Sequence, residues 1–175
     1  MATRIILSVI GSDRPGLTQT LAEAVLASGG NWLESHLSRL GGTYVGSVLV
    51  ELDEAQIAVL EDAVRSVDAS GLHVSLAPAG GEAQGGGAAM AFELVGQDRP
   101  GIVREVTAVL TRLGVNIEDF DTRTEHGAWS GAPMFHASAR LTLPAGVSEA
   151  DVQAALEAIS GEIMVDFSIG AGKPA

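Results

Sequence analysis

Six residues recur in this chain. Gly11-Ser12-Asp13-Arg14-Pro15-Gly16 returns 85 residues later as Gly96-Gln97-Asp98-Arg99-Pro100-Gly101. An apolar run precedes each copy and an amphipathic stretch follows it. A Gly-x-Asn triplet (Gly29-Gly30-Asn31, Gly114-Val115-Asn116) then comes at the same offset. A period this long is a whole domain rather than a solenoid unit. The 175 residues therefore read as two copies of one small domain, each large enough to bury a core of modest stability.

The apolar periodicity fills in the unit. Ile5, Leu7 and Val9 alternate with Ile6, Ser8 and Ile10, the pattern of a strand buried on at least one face. Past the turn, Leu17, Leu21, Ala24 and Val25 share one helical stripe, and Gly29-Gly30 ends that helix. Residues 31–40 read as a second strand, Gly41-Gly42 as a tight hairpin turn, and 44–52 as a third strand. Asp53 is placed to cap a second helix whose inward residues are Ile57, Leu60, Val64 and Val67. Residues 72–76 close the unit. The second half repeats this order. A strand at 91–95 leads to a helix striped by Ile102, Val106, Val109, Leu110 and Leu113. A longer hairpin (116–124, 134–143) follows. Ser148-x-x-Asp151 resembles a capping box, Val152, Leu156 and Ile159 stripe the next helix, and 163–169 forms the last strand. Each half is βαββαβ, which predicts an α+β, ferredoxin-like sandwich with antiparallel sheets and both helices on one sheet face. The expected boundaries are 1–78 for the first domain, 79–89 for a Gly-rich linker able to span about 30 Å, 90–170 for the second domain and 171–175 for a tail.

Charge narrows the function. Ten basic against twenty-two acidic residues give a net charge of −12, and the only lysine is Lys173. Phosphate backbones are repelled by such a surface, so no direct nucleic-acid contact is expected. The first apolar run is too short for a membrane span and lacks a signal peptide's flanks, and there is no cysteine. A cytoplasmic protein with a small-molecule or protein partner, no membrane association and no cofactor is the expectation.

The repeated turn carries the chemistry. Pro15 and Pro100 suit the first position of a helix, where a missing N–H costs nothing. Gly16 and Gly101 leave room for a ligand or another backbone. Exposed N–H groups at a helix start attract a carboxylate, and Asp13 or Asp98 would accept an ammonium. Together these describe a free amino acid, with Asn31 supplying an amide. The plainer alternative stays open, that Asp13 only caps its helix and Arg14 only pairs with an acid.

The stretches GSDRPGLTQTLAEAVLASGGNW and GQDRPGIVREVTAVLTRLGVNIED resemble ACT domains. Two such domains and nothing else is similar to the layout of the glycine cleavage system transcriptional repressor family, and the hairpin from Thr122 to Leu141 resembles that family's second domain. The resemblance implies amino-acid binding where domains pair edge to edge. Its contacts would be Ser12, Asp13, Leu17 and Asn31 in one copy and Gln97, Asp98, Ile102 and Asn116 in the other. With Arg14, Pro15, Gly16, Arg99, Pro100 and Gly101 these form the candidate ligand site. Gly11 and Gly96 depart from relatives that carry a polar side chain there. The first copy also reads Asn31-Trp32-Leu33-Glu34 where the second has Asn116-Ile117-Glu118-Asp119, so the two sites are expected to differ.

The second hairpin holds six extra residues near Glu125 to Pro133, including His126 and Trp129. Trp129 on a protruding tip is a candidate partner contact; a Trp folded back on its own sheet is the equal alternative. No third ligand joins His126 and His136, so no metal is expected.

Two regulatory readings follow: a repressor that senses an amino acid such as glycine and holds a transcription activator, or an effector-binding subunit that acts in trans on a metabolic enzyme. A homodimer is compatible with either. No nucleophile is paired with a base, which argues against an enzyme; Arg14 and Asn31 mimic an acylphosphatase-like site only faintly. An RNA-binding sheet needs stacking aromatics on its strands; the first strand, Arg4 to Ile10, has none, and the third carries Tyr44 alone.

Overall fold

The computed structural model describes residues 1–68, 71–81, 87–126, 131–159 and 164–166. The chain divides into two compact units, Met1–Ala83 and Gln84–Ala175.

In the first unit β1 (Ala2–Ser12) leads through the repeated turn into α1 (Leu17–Ala27). β2 (Asn31–Leu40) and β3 (Thr43–Asp53) form a hairpin, a single 3-10 turn introduces α2 (Ile57–Asp68), and β4 (Leu72–Pro78) closes the sheet. The sheet is antiparallel in the order β2-β3-β1-β4. Gly41 and Gly42 at the hairpin tip both have positive φ, 59° and 83°, as a two-residue turn matched to strand twist requires. One face of the sheet supplies Ile5, Leu7, Val9, Val48, Val50 and Leu52. These pack against Leu17, Leu21 and Val25 of α1 and Leu60, Val64 and Val67 of α2. Both helices therefore lie on one face. The other face is open, with Ile10 53% exposed.

The second unit repeats the plan with β5 (Ala88–Gln97), α3 (Ile102–Arg112), β6 (Asn116–His126), β7 (Pro133–Leu143), α4 (Glu149–Glu157) and β8 (Met164–Asp166). Its sheet order is β6-β7-β5-β8. Phe92, Leu94, Val106, Leu110, Leu141, Val152 and Leu156 are its most buried side chains. Ser148 caps α4 as the spacing predicts: its hydroxyl accepts from the Asp151 N–H while the Asp151 carboxylate accepts from the Ser148 N–H at 2.8 Å. Asp53 likewise caps the 3-10 turn, accepting from the Ala55 N–H at 3.1 Å. Both edge hairpins carry a bulge at the same place, between Trp32 and Glu34 and between Ile117 and Asp119. Bulges on edge strands raise local twist and blunt the edge. β5 begins at Ala88, inside the stretch expected to be linker. The last strand is described only at Met164–Asp166.

Candidate functional site

The strands outrun the expected boundaries, so Gly11, Ser12, Gly96 and Gln97 are strand residues. Gly11 lies close against the chain entering β4: an added Cβ would sit 2.2 Å from the Gly71 carbonyl oxygen. The Ser12 N–H donates to that same oxygen at 3.1 Å. In the second unit the Asp98 N–H donates to the Pro133 carbonyl at 2.9 Å. No side chain fits at Gly11 without displacing the backbone at Gly71 and Leu72.

The turn itself corrects the sequence reading. Pro15 and Pro100 are not the first residues of their helices; α1 starts at Leu17 and α3 at Ile102. Gly16 has φ 93° and ψ −9°, and Gly101 has φ 92° and ψ −3°. The Ile102 N–H closes on the Arg99 carbonyl at 3.3 Å. A proline followed by a glycine in this conformation, closed by such a bond, is a type II turn. The proline sets the second position of the turn and glycine is needed for its φ at the third. A Cβ on either glycine would meet no atom within 4 Å, so the space above each turn is open.

Asp13 does not cap its helix, and neither does Asp98: the N-caps are Gly16 and Gly101, and among the described residues no side chain accepts from the first N–H groups of α1 or α3. The Ile102 N–H is used by the turn; the amides that follow it in the first turn of α3, and those that open α1, have no side-chain cap, the condition an anion site requires.

What surrounds each turn differs between the copies. In the first, Asp13 Oδ2 lies 3.0 Å from Arg39 Nε, and the Thr18 and Tyr44 hydroxyls share a hydrogen bond of 2.6 Å beside it. Arg14 is exposed. In the second, Arg99 is the paired residue. Its two terminal nitrogens grip the Glu105 carboxylate, Nη1 at 2.8 Å from Oε1, and this guanidinium holds the Glu105 carboxyl below the usual carboxylate range. Asp98 is half-buried and has no ion-pair partner among the described residues. The reason is visible in the register. Arg39 lies opposite Tyr44, and the matching rung of the second unit is Thr124 opposite Phe135, so no guanidinium stands beside Asp98.

Asn31 and Asn116 are not part of the same cluster. β2 is not adjacent to β1; β3 lies between them. Ser12 is level with Thr43, whereas Asn31 is level with Glu51. Eight residues of strand separate these levels, about 27 Å. Gln97 and Asn116 are set apart in the same way, against Met134 and Thr142 of β7. Within a unit a small molecule reaches the turn or the asparagine, not both. Asn116 instead donates to Glu118 Oε1 at 2.6 Å, and Thr142 donates to that oxygen at 3.0 Å, which fixes the bulged residue of β6. Sequence reasoning missed Arg39 and Glu105. Counting back from the Gly41-Gly42 turn would have found Arg39 at the same end as Ser12.

At the second hairpin, His126 is exposed at the end of β6, and Trp129 lies outside the described residues. His136 Nε2 is 3.8 Å from Glu125 Oε2, while Arg123 Nε donates to Glu125 Oε1 at 2.7 Å. The Arg123 hydrogen bond, more than the imidazole, holds Glu125 below its usual range. No helix among the described residues is long and apolar enough to cross a membrane.

Known proteins share this fold. Two ACT-domain family models match, one over residues 3–76 and the other over 91–151. The glycine cleavage system transcriptional repressor of Escherichia coli strain K12 is 22% identical over 167 residues, covering 94% of this chain and 88% of its own. The crystal structure of an unknown protein from Galdieria sulphuraria superposes with a TM-score of 0.81 at 27% identity, covering 95% of this chain and 98% of that one. A crystal structure described as a candidate glycine cleavage system transcriptional repressor superposes with a TM-score of 0.71 at 15% identity, over 96% of this chain and 98% of its own. Both halves thus match ACT-domain models, and the chain belongs to the ACT-domain family as two ACT domains in tandem, a regulatory rather than catalytic design.

Proposed function

We propose that the protein senses a free amino acid, with glycine the first candidate, and controls amino-acid metabolism through a protein partner, at the level of transcription. The observation that carries this reading is the similarity to the Escherichia coli repressor along nearly the whole of both chains. The geometry of the second turn supports it. The uncapped amides that follow Ile102 in the first turn of α3 suit a carboxylate, and Asp98, free of any guanidinium, suits an ammonium. We assign the effector to Gln97, Asp98, Pro100, Gly101 and Ile102. In the first unit Asp13 is already neutralised by Arg39, so Ser12, Asp13 and Leu17 form the weaker counterpart. The net charge of −12 favours control by holding a protein rather than by touching DNA.

Calorimetric titration with each of the twenty amino acids tests the sensing step. Binding that Asp98→Ala abolishes and Asp13→Ala spares is the expected result. Binding indifferent to Asp98 would remove the turn from the site. Affinity capture from the source cell, with and without the effector, tests the partner. Recovery of a transcription factor supports control of transcription, and recovery of a metabolic enzyme replaces it with regulation in trans.

A further inference from the structure

The open faces of the two sheets differ in their side chains. A shallow depression of about 120 Å³ is lined by Ala91, Glu93, Asp119, Ser138 and Arg140, with Phe92 and Ala139 beneath. The register explains it. Ala91 lies opposite Arg140, Arg140 opposite Asp119, and Glu93 opposite Ser138. The small side chains of Ala91 and Ser138 make the floor. Charged ones make the rim.

The matching rungs of the first unit are Ile6 opposite Leu49, Leu49 opposite Glu34, and Ser8 opposite Ser47. There Ile6 and Leu49 fill the space that Ala91 leaves empty. Between two copies of one domain, an apolar pair on an open face has been exchanged for an alanine and an arginine. A serine has been exchanged for a glutamate.

The rim charges are only partly used. Arg140 Nη2 contacts Asp119 Oδ2 at 3.3 Å, which leaves other guanidinium donors free. Glu93 is exposed and has no hydrogen-bond or ion-pair partner among the described residues. It sits on the rung next to Arg140, on the diagonal, where long side chains on a sheet can meet. They do not meet; the depression lies between them.

We propose that this depression is a second small-molecule site, distinct from the turns, for a free α-amino acid. The ligand carboxylate takes the donors of Arg140 that Asp119 does not use, and its ammonium sits against Glu93. A planar guanidinium fixed on one side by Asp119 is pre-organised for a carboxylate. The floor of Ala91 and Ser138 admits a small side chain and excludes a large one. Because the rim is solvent-exposed, affinity is modest, with a Kd of about 1 mM, and it falls with added salt.

The test is amide NMR on the nitrogen-15-labelled full chain, titrated at low salt with glycine, alanine and the other amino acids to about 10 mM, ten times that Kd. Saturable shifts at residues 91, 93, 138 and 140, separate from those at 97–102, are expected for the small amino acids. Glu93→Ser and Arg140→Leu, which install what the first unit carries, should weaken them at least about tenfold. Ala91→Ile should abolish them by filling the floor. Asp98→Ala should leave them unchanged, so failure here and failure of the turn site read out separately. Absence of saturable shifts at these residues overturns the proposal. So does persistence in Ala91→Ile. An equal response to an Nα-acetyl-lysine amide, which has an ammonium but no carboxylate, also overturns it, and points instead to a lysine of a partner protein.

Discussion

The two turn glycines and Gly11 are conserved in type between the copies, yet they should fail for different reasons. At Gly101 an added Cβ meets nothing within 4 Å, but φ is +92°. Alanine there pays only the left-handed backbone penalty of about 1–2 kcal/mol. Loss of unfolded-chain entropy returns roughly 0.4–1 kcal/mol. The net cost of Gly101→Ala is therefore about 1 kcal/mol, or roughly 4–8 °C in the melting of a domain this small. Asparagine tolerates this conformation and should cost less, while a β-branched valine should cost more. At Gly11 the backbone is extended, but Cβ would stand 2.2 Å from Gly71 O and 2.8 Å from Leu72 Cα. Those atoms are backbone at the entry to the neighbouring strand and cannot swing aside. Gly11→Ala must push β1 from β4, with a loss of several kcal/mol, of the order seen for overpacking and beyond. Urea unfolding followed by circular dichroism, on Gly101→Asn, Gly101→Ala, Gly101→Val and Gly11→Ala, gives the ranking. If Gly101→Val were as stable as Gly101→Asn, the type II turn would be wrong. If Gly11→Ala were the mildest of the four, the close strand approach would be.

Three further outcomes are expected. Phe92, 1% exposed, fills the second core, and Phe92→Ala should cost about 3–5 kcal/mol by urea unfolding. Arg39→Thr, which copies the second unit's rung, should change stability by less than about 1 kcal/mol because the pair it breaks is exposed. It should give the first turn a measurable affinity for an amino acid in calorimetry, if pairing with Arg39 is what silences Asp13. The Asp151 carboxyl is held below its usual value of 3.8 by the Ser148 hydroxyl and then by the Ser148 N–H. A lowered carboxyl contributes stability above its unfolded pKa and loses it as pH falls through the folded one. The urea midpoints of the parent and Asp151→Asn should therefore differ at pH 7, and the gap should close below about pH 4. A gap that is constant down to pH 2 would show that the carboxylate's charge plays no part in the cap.

Local chemistry made much of this molecule legible beforehand. Apolar periods of two and of 3.6 residues placed the described strands and helices, because a half-buried strand or helix must show its burial in its own pattern. The 85-residue recurrence announced two copies, and Ser148-x-x-Asp151 announced its cap, since both partners lie within one turn of chain. The bends were readable as turns but not as type II turns, for Pro-Gly suits either a helix start or a reverse turn until the path of the chain chooses. Contacts between distant residues were not readable at all. Strand order set β3 between Asn31 and the bend, and strand length carried the asparagine to the far end of the sheet. Cross-strand register gave Asp13 an arginine and left Asp98 without one. It also turned Ala91, Glu93 and Arg140, unremarked along the chain, into neighbours around one hollow. A side chain's partners across a sheet depend on register, and register is fixed by the packing of the entire face rather than by the residues on either side.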